Sequence, residues 1–357
     1  MNTREKKWKK LVCGLAFVLA ACMNASVGWT AADMISRETA AAVQMEEDTV
    51  LVGGMPIGIY METDGVLVLD TQEVTGMDGQ VYEPAHNLVK AGDYIVGIND
   101  AQITDKEELI QSVSHLETKE VVLNIRRNTD RIDVKLDAVE SEPGKYKLGI
   151  WVKDNIQGLG TITFLNENSE FGALGHGIHD TDTGVLLNIA GGKVYKTSIR
   201  SVIKGQNGVP GSLEGLIVYN HYNRLGNITK NTETGIYGEL EDLQTLFKEQ
   251  IAVQVADMEE VKKGPAMIRC YIQNEVKEYE VQILEVNVSA HESNKGIVLQ
   301  VTDEELLKET GGIVQGMSGS PILQNGKLVG AVTHVFVNDP TKGYGIFAEI
   351  MINETAD

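Results

Sequence analysis

The chain of 357 residues is long enough for two domains and a targeting segment, and its 42% hydrophobic content with 37 glycines is typical of a globular protein. The formal net charge of −20 excludes nucleic acid as an expected partner, because phosphate binding requires a basic surface. Two of the three cysteines lie in an N-terminal apolar segment. Cys270 alone remains for the folded part, which excludes a disulfide framework there, and we expect it to be a small buried residue.

Residues 1–30 have the pattern of an export signal. Four lysines between positions 6 and 10 precede an apolar run at 11–21, and small or polar residues follow. The sequence LAAC at 19–22 also resembles a lipoprotein processing box, which would make Cys22 a lipidated N-terminus. An uncleaved anchor, a lipid anchor and a cleaved signal all stay open. Each exports the protein, and the first two tether it to a membrane.

Residues 31–49 are polar and alanine-rich and are predicted to form a tether. Residues 50–136 resemble a PDZ domain, on the sequence AGDYIVGIND at 91–100, a predicted helix at 106–116 and a strand at 121–126. Gly92 supplies the backbone freedom to leave a short helix, and Asp93 can bind amides in the turn that follows.

A peptide-binding edge is predicted in this domain. We expect the strand at 57–61 to lie at a sheet edge, where a C-terminus or an internal segment of another protein could add as an extra strand. The glycine-containing stretch at 53–58 would leave amides free for a carboxylate. The predicted contacts are Pro56, Ile57, Gly58 and Ile59.

Residues 145–353 show many short strands separated by glycine-rich turns, with helical candidates at 239–250 and 303–310. The SEPG sequence at 141–144 is a plausible boundary before this half. This density of strands predicts closed barrels or a sandwich, and thus a mainly β protein with a small α/β domain in front.

The sequence GMSGSP at 316–321 is the strongest chemical signal. Glycines on both sides of Ser318 let the backbone turn sharply and direct N–H groups at one point, as an attacking serine requires. The pattern Gly-x-Ser-Gly-x-Pro is the signature of chymotrypsin-like peptidases, and it predicts Ser318 as the nucleophile. Ser320 is a rival that lacks the same flanking glycines.

His176 is the candidate base, because it lies between Gly175 and Gly177 directly after an apolar strand. Small neighbours allow a loop histidine to approach another backbone closely. His179 is its nearest competitor. No acidic or histidine motif completes a metal site with this pair, so no metal is expected. His221 and His334 are interpreted as structural or surface residues.

The acid that would orient the base is the least determined member. No aspartate lies between Asp182 and Asp242, where the usual chymotrypsin order would place it. Asp303, 15 residues before Ser318, is the alternative. It is also a good N-cap for a helix that begins at Glu304, and spacing alone leaves the two roles open.

Together these motifs resemble the stage IV sporulation protein B peptidases of endospore-forming bacteria. The resemblance rests on FGALGHGIHD at 171–180, VTDEELL at 301–307 and QGMSGSPI at 315–322, in this order behind a PDZ domain and an export segment. It implies a chymotrypsin-like barrel domain and a catalytic triad of His176, Asp303 and Ser318. The N–H groups of Gly316 and Ser318 would then hold the oxyanion.

The resemblance also implies a biological role, without a cofactor. The protein would be secreted into the space between forespore and mother cell, cleave itself near its N-terminus, and cleave a regulator of an intramembrane metalloprotease, which would release sigma-factor processing. Two alternatives stay open. One is a non-catalytic adaptor that binds peptides through its PDZ domain, and the other is an envelope quality-control protease.

Overall fold

The computed structural model describes residues 49–247 and 249–355, so the predictions for the export segment at 1–30 and for most of the tether at 31–49 lie outside the described residues. The strands are β1 Thr49–Val52, β2 Pro56–Thr71, β3 Val74–Thr75, β4 Val81–Tyr82, β5 Tyr94–Ile98, β6 Ala101–Gln102, β7 Glu120–Arg127, β8 Asp130–Asp137, β9 Val139–Glu142, β10 Lys145–Lys147, β11 Ile150–Leu165, β12 Glu170–Ala173, β13 Ile189–Ile203, β14 Ser212–Ile217, β15 Arg224–Thr232, β16 Gly235–Leu240, β17 Ala252–Gln254, β18 Gly264–Ile272, β19 Glu275–Val286, β20 Ile297–Val301, β21 Pro321–Gln324, β22 Lys327–Phe336 and β23 Asp339–Phe347. The α-helices are α1 Lys106–Ser114, α2 Leu243–Leu246, α3 Glu304–Thr310 and α4 Ala348–Asn353.

Two six-stranded barrels dominate the fold. In the first barrel the pairings run β2–β11–β12–β16–β15–β13 and return to β2, which closes the ring. The second barrel is closed in the order β18-β19-β20-β23-β22-β21. Alternating apolar residues of the strands of this second barrel point into its interior, where Ile268, Leu299 and Ile322 are fully buried. The mainly β, barrel-containing fold predicted from the sequence is confirmed.

A PDZ fold extends from the first barrel. The second part of β2 pairs with β5, and β5, β7 and β8 continue the sheet. Helix α1 covers this sheet through Leu109, and its N-cap Asp105 accepts a hydrogen bond from the Glu108 N–H at 2.8 Å. The predicted helix at 106–116 therefore forms, two residues shorter at its C-terminal end.

The strand predicted to bind peptides is not an edge strand. Residues 56–62 of β2 pair with β11 on one side, with Ile59 opposite Gly158, and with β13 on the other, with Ile59 opposite Val194. Both backbone edges are therefore used inside the first barrel. The predicted contacts Pro56, Ile57, Gly58 and Ile59 cannot receive an added strand, which corrects the sequence-based expectation.

The domain boundaries also differ from those expected at 50–136 and 145–353. Residues 56–62 belong to the first barrel, and β11 returns to that barrel after the PDZ fold. The PDZ fold is thus inserted into the first barrel between two of its strands.

A second difference is the helical candidate at 239–250, where the structure has only the single turn α2. Among the described residues, no helix combines the length and apolar character needed to cross a membrane.

Candidate active site

The candidate site is a cleft of about 630 Å³ that both barrels line. The first barrel contributes β11 and the loop that follows β12, and the second contributes the loop before β21 and the later part of β22. His176 and Ser318 both line this cleft, although 142 positions separate them in the sequence. The structure therefore brings together the two residues that the sequence motifs predicted as base and nucleophile.

The loop that carries Ser318 is fixed from both sides. The Thr161 hydroxyl donates a hydrogen bond to the Gly316 carbonyl at 2.8 Å, and the Gly319 N–H donates to the Val332 carbonyl at 2.7 Å. Gly316 and Gly319 have φ values of 97° and 94°, which favour glycine. A Cβ at Gly319 would lie 2.0 Å from the Thr161 carbonyl oxygen, so β11 approaches this turn more closely than any side chain allows.

Two backbone N–H groups of this loop are available to a ligand. The Gln315 carbonyl, just before Gly316, accepts a hydrogen bond from the Leu213 N–H at 2.8 Å. The Met317 N–H donates to the Val314 carbonyl at 3.1 Å. Among the described residues, neither Gly316 nor Ser318 donates its N–H to another group. These are the two amides that the sequence predicted as an oxyanion-binding pair.

The Ser318 hydroxyl is held by the backbone rather than by the base. Its Oγ donates to the Thr333 carbonyl at 2.7 Å. Rotation about the Cα–Cβ bond would move Oγ from this position to another in the cleft, since a serine side chain has three staggered rotamers. Ser320, the rival nucleophile, is fully buried, and its Oγ has no hydrogen-bond partner among the described residues. The structure thus places Ser318 and not Ser320 at the cleft.

A sharp turn after β12 presents His176. Leu174 and Gly175 both have positive φ values, 70° and 71°, which reverses the chain before the histidine. The His176 Nδ1 lies 2.9 Å from the Gly177 carbonyl oxygen, so Nδ1 carries the proton in this contact and Nε2 is left as the basic nitrogen. Burial lowers the pKa of His176 below its usual value of 6.5, although the Gly177 hydrogen bond opposes this effect. The ring is therefore neutral at pH 7.

A second histidine lies against the first. The His334 ring centroid is 4.6 Å from that of His176, with 30° between the ring planes, and both side chains line the cleft. Burial, and then the neighbouring His176, lower the pKa of His334 to about 4. The sequence interpretation of His334 as a structural or surface residue missed this position. The available signal was its place in the apolar run at 327–337, which follows the Ser318 loop in the sequence.

Asp303 lies elsewhere on the second barrel. One carboxylate oxygen accepts from the Leu306 N–H at 2.9 Å, which caps α3, and the other accepts from the Glu280 N–H at 3.3 Å. Asp303 does not line the cleft. Of the two roles that spacing left open, the described contacts are those of a helix N-cap. Cys270, on the same barrel, is buried as expected, and burial raises the pKa of its thiol.

Two closed barrels with a serine and a neutral histidine in the cleft between them define a chymotrypsin-like serine peptidase. The family model described as SpoIVB peptidase S55 matches residues 144–352, and the chain belongs to this family of serine peptidases. The family name carries an implied connection with sporulation. No curated protein matches the chain.

Several solved structures are similar in part. The PDZ domain of an SdrC-like protein from Listeria monocytogenes is 21% identical over 25% of this chain and 87% of that one, with a TM-score of 0.20. An inactive form of the Rv3671c protease, from M. tuberculosis, is 13% identical over 56% and 83%, with a TM-score of 0.30. The HtrA-type protease AlgW with a Ser-to-Ala substitution and a decapeptide is 10% identical over 84% and 62%, with a TM-score of 0.36.

Proposed function

We propose that this protein is a sporulation serine endopeptidase in which Ser318 attacks the peptide carbonyl and His176 acts as the general base. The observation that carries the proposal is the shared cleft, which Ser318, the neutral His176 and Gly316 all line, together with the N–H groups of Gly316 and Ser318, which donate to no other group among the described residues. Acyl transfer requires these three parts: a nucleophile, a base and donors for the developing oxyanion.

The first step begins with a rotation of Ser318. The hydroxyl leaves the Thr333 carbonyl and donates to His176 Nε2, which accepts the proton as Oγ bonds to the substrate carbonyl carbon. The carbonyl oxygen gains the negative charge and is held by the two loop amides. His176 then gives the proton to the leaving amine, and water repeats the sequence to release the acyl group. The Gly177 carbonyl stabilises the Nδ1–H tautomer throughout.

Asp303 enters the triad only through the sequence resemblance. Both of its carboxylate oxygens accept hydrogen bonds from backbone N–H groups at α3 and β19. The assignment of Asp303 as the orienting acid stays a prediction. It can be tested separately from the Ser318–His176 pair, because the pair lies in the cleft between the barrels and the helix cap lies on the second barrel outside that cleft.

The finer role that we propose follows the family resemblance. The protease would act in the space between forespore and mother cell, tethered by its N-terminal segment, cleave itself near the N-terminus, and cleave the regulator of an intramembrane metalloprotease. Its partners would be that protein substrate and peptides bound by the PDZ fold. The membership of the chain in the SpoIVB peptidase family is the observation that favours this substrate over general envelope proteins.

The test is the Ser318→Ala variant of the full chain, with Ser320→Ala as a matched control. We expect Ser318→Ala to abolish self-processing and fluorophosphonate labelling while the thermal unfolding temperature is retained, and Ser320→Ala to keep labelling. Mass spectrometry of the mature protein gives both the cleavage position and any lipid on Cys22. Undiminished self-cleavage by Ser318→Ala would contradict the proposal, and absence of labelling in the unaltered protein would favour the adaptor.

A further inference from the structure

A loop of the first barrel reaches across to the second. It comprises residues 204–211, joins β13 to β14, and is called the bridging loop. Its Gly205 N–H donates to the Thr310 carbonyl at 2.8 Å, at the end of α3, and its Gly208 N–H donates to the Val337 carbonyl at 2.9 Å, just after β22. Both acceptors belong to the stretch of chain that forms the second barrel. The loop is therefore attached there at two points before the chain returns to β14.

The end of the bridging loop fixes the residue that precedes Gly316. The Gln315 N–H donates to the Gly211 carbonyl at 2.8 Å, and the Gln315 carbonyl accepts from the Leu213 N–H, also at 2.8 Å. These two hydrogen bonds form a parallel bridge between Ser212 and Gln315. Both backbone groups of Gln315 are therefore held by one short segment that follows β13.

Close packing leaves this segment little room to move. A Cβ at Gly211 would lie 2.2 Å from the Ile203 carbonyl oxygen, so the two sides of the loop approach each other more closely than a side chain permits. The Leu213 side chain is buried in the core of the second barrel, in the same cluster as Val314 and Met317. The hairpin of the first barrel thus supplies both hydrogen bonds and a buried side chain to the loop that carries the nucleophile.

The direction of the Gln315 carbonyl determines where the Gly316 N–H points. A trans peptide unit is planar, and its C=O and N–H groups point in opposite directions. Because the Gln315 carbonyl is turned towards Leu213, the Gly316 N–H is turned away from Leu213. Gly316 has a φ of 97°, and glycine adopts positive and negative φ about equally readily, so this residue does not itself fix the peptide plane. The hydrogen bond from Leu213 is the described contact that fixes it.

We propose that the bridging loop is a positioning element for the oxyanion site, in which the Leu213 N–H keeps the Gln315–Gly316 peptide unit turned so that the Gly316 N–H faces the substrate. The proposal rests on the function proposed above and deepens it, because it makes the first barrel control an amide that the second barrel carries. Without this hydrogen bond, rotation of the peptide unit would replace the Gly316 donor by the Gln315 carbonyl, which repels a developing negative charge.

The effect of such a rotation falls on the transition state. The oxyanion forms only when Ser318 attacks, so an amide that binds it raises kcat without a matching change in KM. Loss of one oxyanion donor lowers kcat by about 10²–10³-fold in other serine peptidases. A segment that served only the stability of the fold would instead lower the unfolding temperature and leave the kcat of the folded protein unchanged.

The first experiment removes the Leu213 hydrogen bond and keeps every side chain. In the full chain, Leu213 is replaced by its α-hydroxy acid analogue, which has an ester oxygen in place of the N–H. The same replacement at Leu216, three residues further along β14, is the matched control. We expect kcat for casein peptides to fall about 100-fold at position 213, with KM within about threefold, and to stay within about threefold at position 216. Equal kcat values for the two analogues would overturn the proposal.

The second experiment displaces the loop with a side chain. Gly211→Ala has no room for its Cβ, whereas in the control Gly191→Ala, in β13, the nearest atom would lie 3.9 Å from the added Cβ. We expect Gly211→Ala to speed hydrogen exchange of the Gln315 amide and to slow fluorophosphonate labelling of Ser318 about 100-fold, with exchange protection in β18 and β19 kept. Gly191→Ala should change neither quantity.

The outcomes separate this proposal from the proposed function. Fast exchange at Gln315 together with labelling of Ser318 at the rate of the unaltered protein would overturn the role of the bridging loop and leave the peptidase mechanism intact. Absence of labelling in the unaltered protein would overturn both proposals. Should Gly211→Ala also lose protection in β18 and β19, the ester analogue at Leu213 gives the decision, because it introduces no steric conflict.

Discussion

The two barrels are built from the chain in different ways. The second barrel uses one continuous stretch, from β18 at Gly264 to β23 at Phe347, and most of its pairings join strands close in sequence. The first barrel closes only when residues 56–62 of β2 pair with β11, about 100 positions later, after the whole PDZ fold. The comparison shows that a barrel can be interrupted by another domain when the two strands that flank the insertion pair with each other.

The barrels also divide the chemistry. The second supplies the nucleophile and its amides on a loop locked by glycines, and the first supplies the base on a turn after β12. Substitutions in matched pairs, one of a residue with a proposed role in the chemistry and one of a near neighbour without that role, can test whether this division is correct.

The largest effect is expected for His176→Ala, compared with His179→Ala. Loss of the base should lower kcat by at least about 10³-fold, whereas His179, which contacts the exposed Glu233 at 3.3 Å, should tolerate the change. Steady-state cleavage of casein peptides and burst kinetics measure the kcat of both variants. Equal losses in the two variants would show that the loop and not the imidazole is responsible.

A smaller effect is expected for Thr161→Val, compared with Thr163→Val. Each threonine of β11 donates at 2.8 Å to the serine loop, to Gly316 and Gly319 respectively. Both changes leave a carbonyl of that loop without its donor, which costs about 1–3 kcal/mol. We expect Thr161→Val to lower kcat more, because Gly316 carries one of the proposed oxyanion amides, and Thr163→Val to lower mainly the unfolding temperature. The reverse pattern would locate the oxyanion site elsewhere.

The pH profile tests the paired histidines. His176 must be neutral to accept the Ser318 proton, and burial lowers its pKa, so kcat/KM should fall on the acid side only below pH 6.5. His334→Phe keeps an aromatic ring beside His176 and makes its surroundings more apolar, so we expect the acid limb to move to lower pH with a few-fold change in kcat. His334→Ala, which also removes the ring, should lower kcat further. An unchanged pH profile of kcat/KM in both variants would mean that the contact between the two rings does not affect His176 as the base.

The smallest effect on catalysis is expected for Asp303→Ala. The described contacts predict a loss of about 1 kcal/mol in unfolding free energy from the missing N-cap, with kcat nearly unchanged. Urea unfolding and kcat measured on the same sample separate the two quantities. A fall in kcat by several orders of magnitude, with normal stability, would instead support Asp303 as the orienting acid predicted from the family resemblance.

The local features of this protein could be predicted from its sequence. Gly316 and Gly319 around Ser318, and Gly175 before His176, have positive φ values that favour glycine, and α3 begins where its cap residues predicted. The partner of β2 could not be predicted in this way. Its pattern in residues 56–62 fits an edge strand of the PDZ fold as well as a barrel strand, and only the distant pairings with β11 and β13 decide between them. The position of His334 depended on the same kind of long-range pairing, because β22 has to return beside Ser318 before its last residues reach the cleft.

The strand β11 has a consequence for how this protein can vary. Its two ends serve different domains, and its pairing with β2 is regular from Asn155 to Thr161, so a single residue inserted in that stretch would rotate all later side chains to the opposite face and misalign the serine loop contacts at Thr161 and Thr163. Length changes should therefore accumulate in other places, such as the exposed turn between β3 and β4, and almost never between residues 155 and 161.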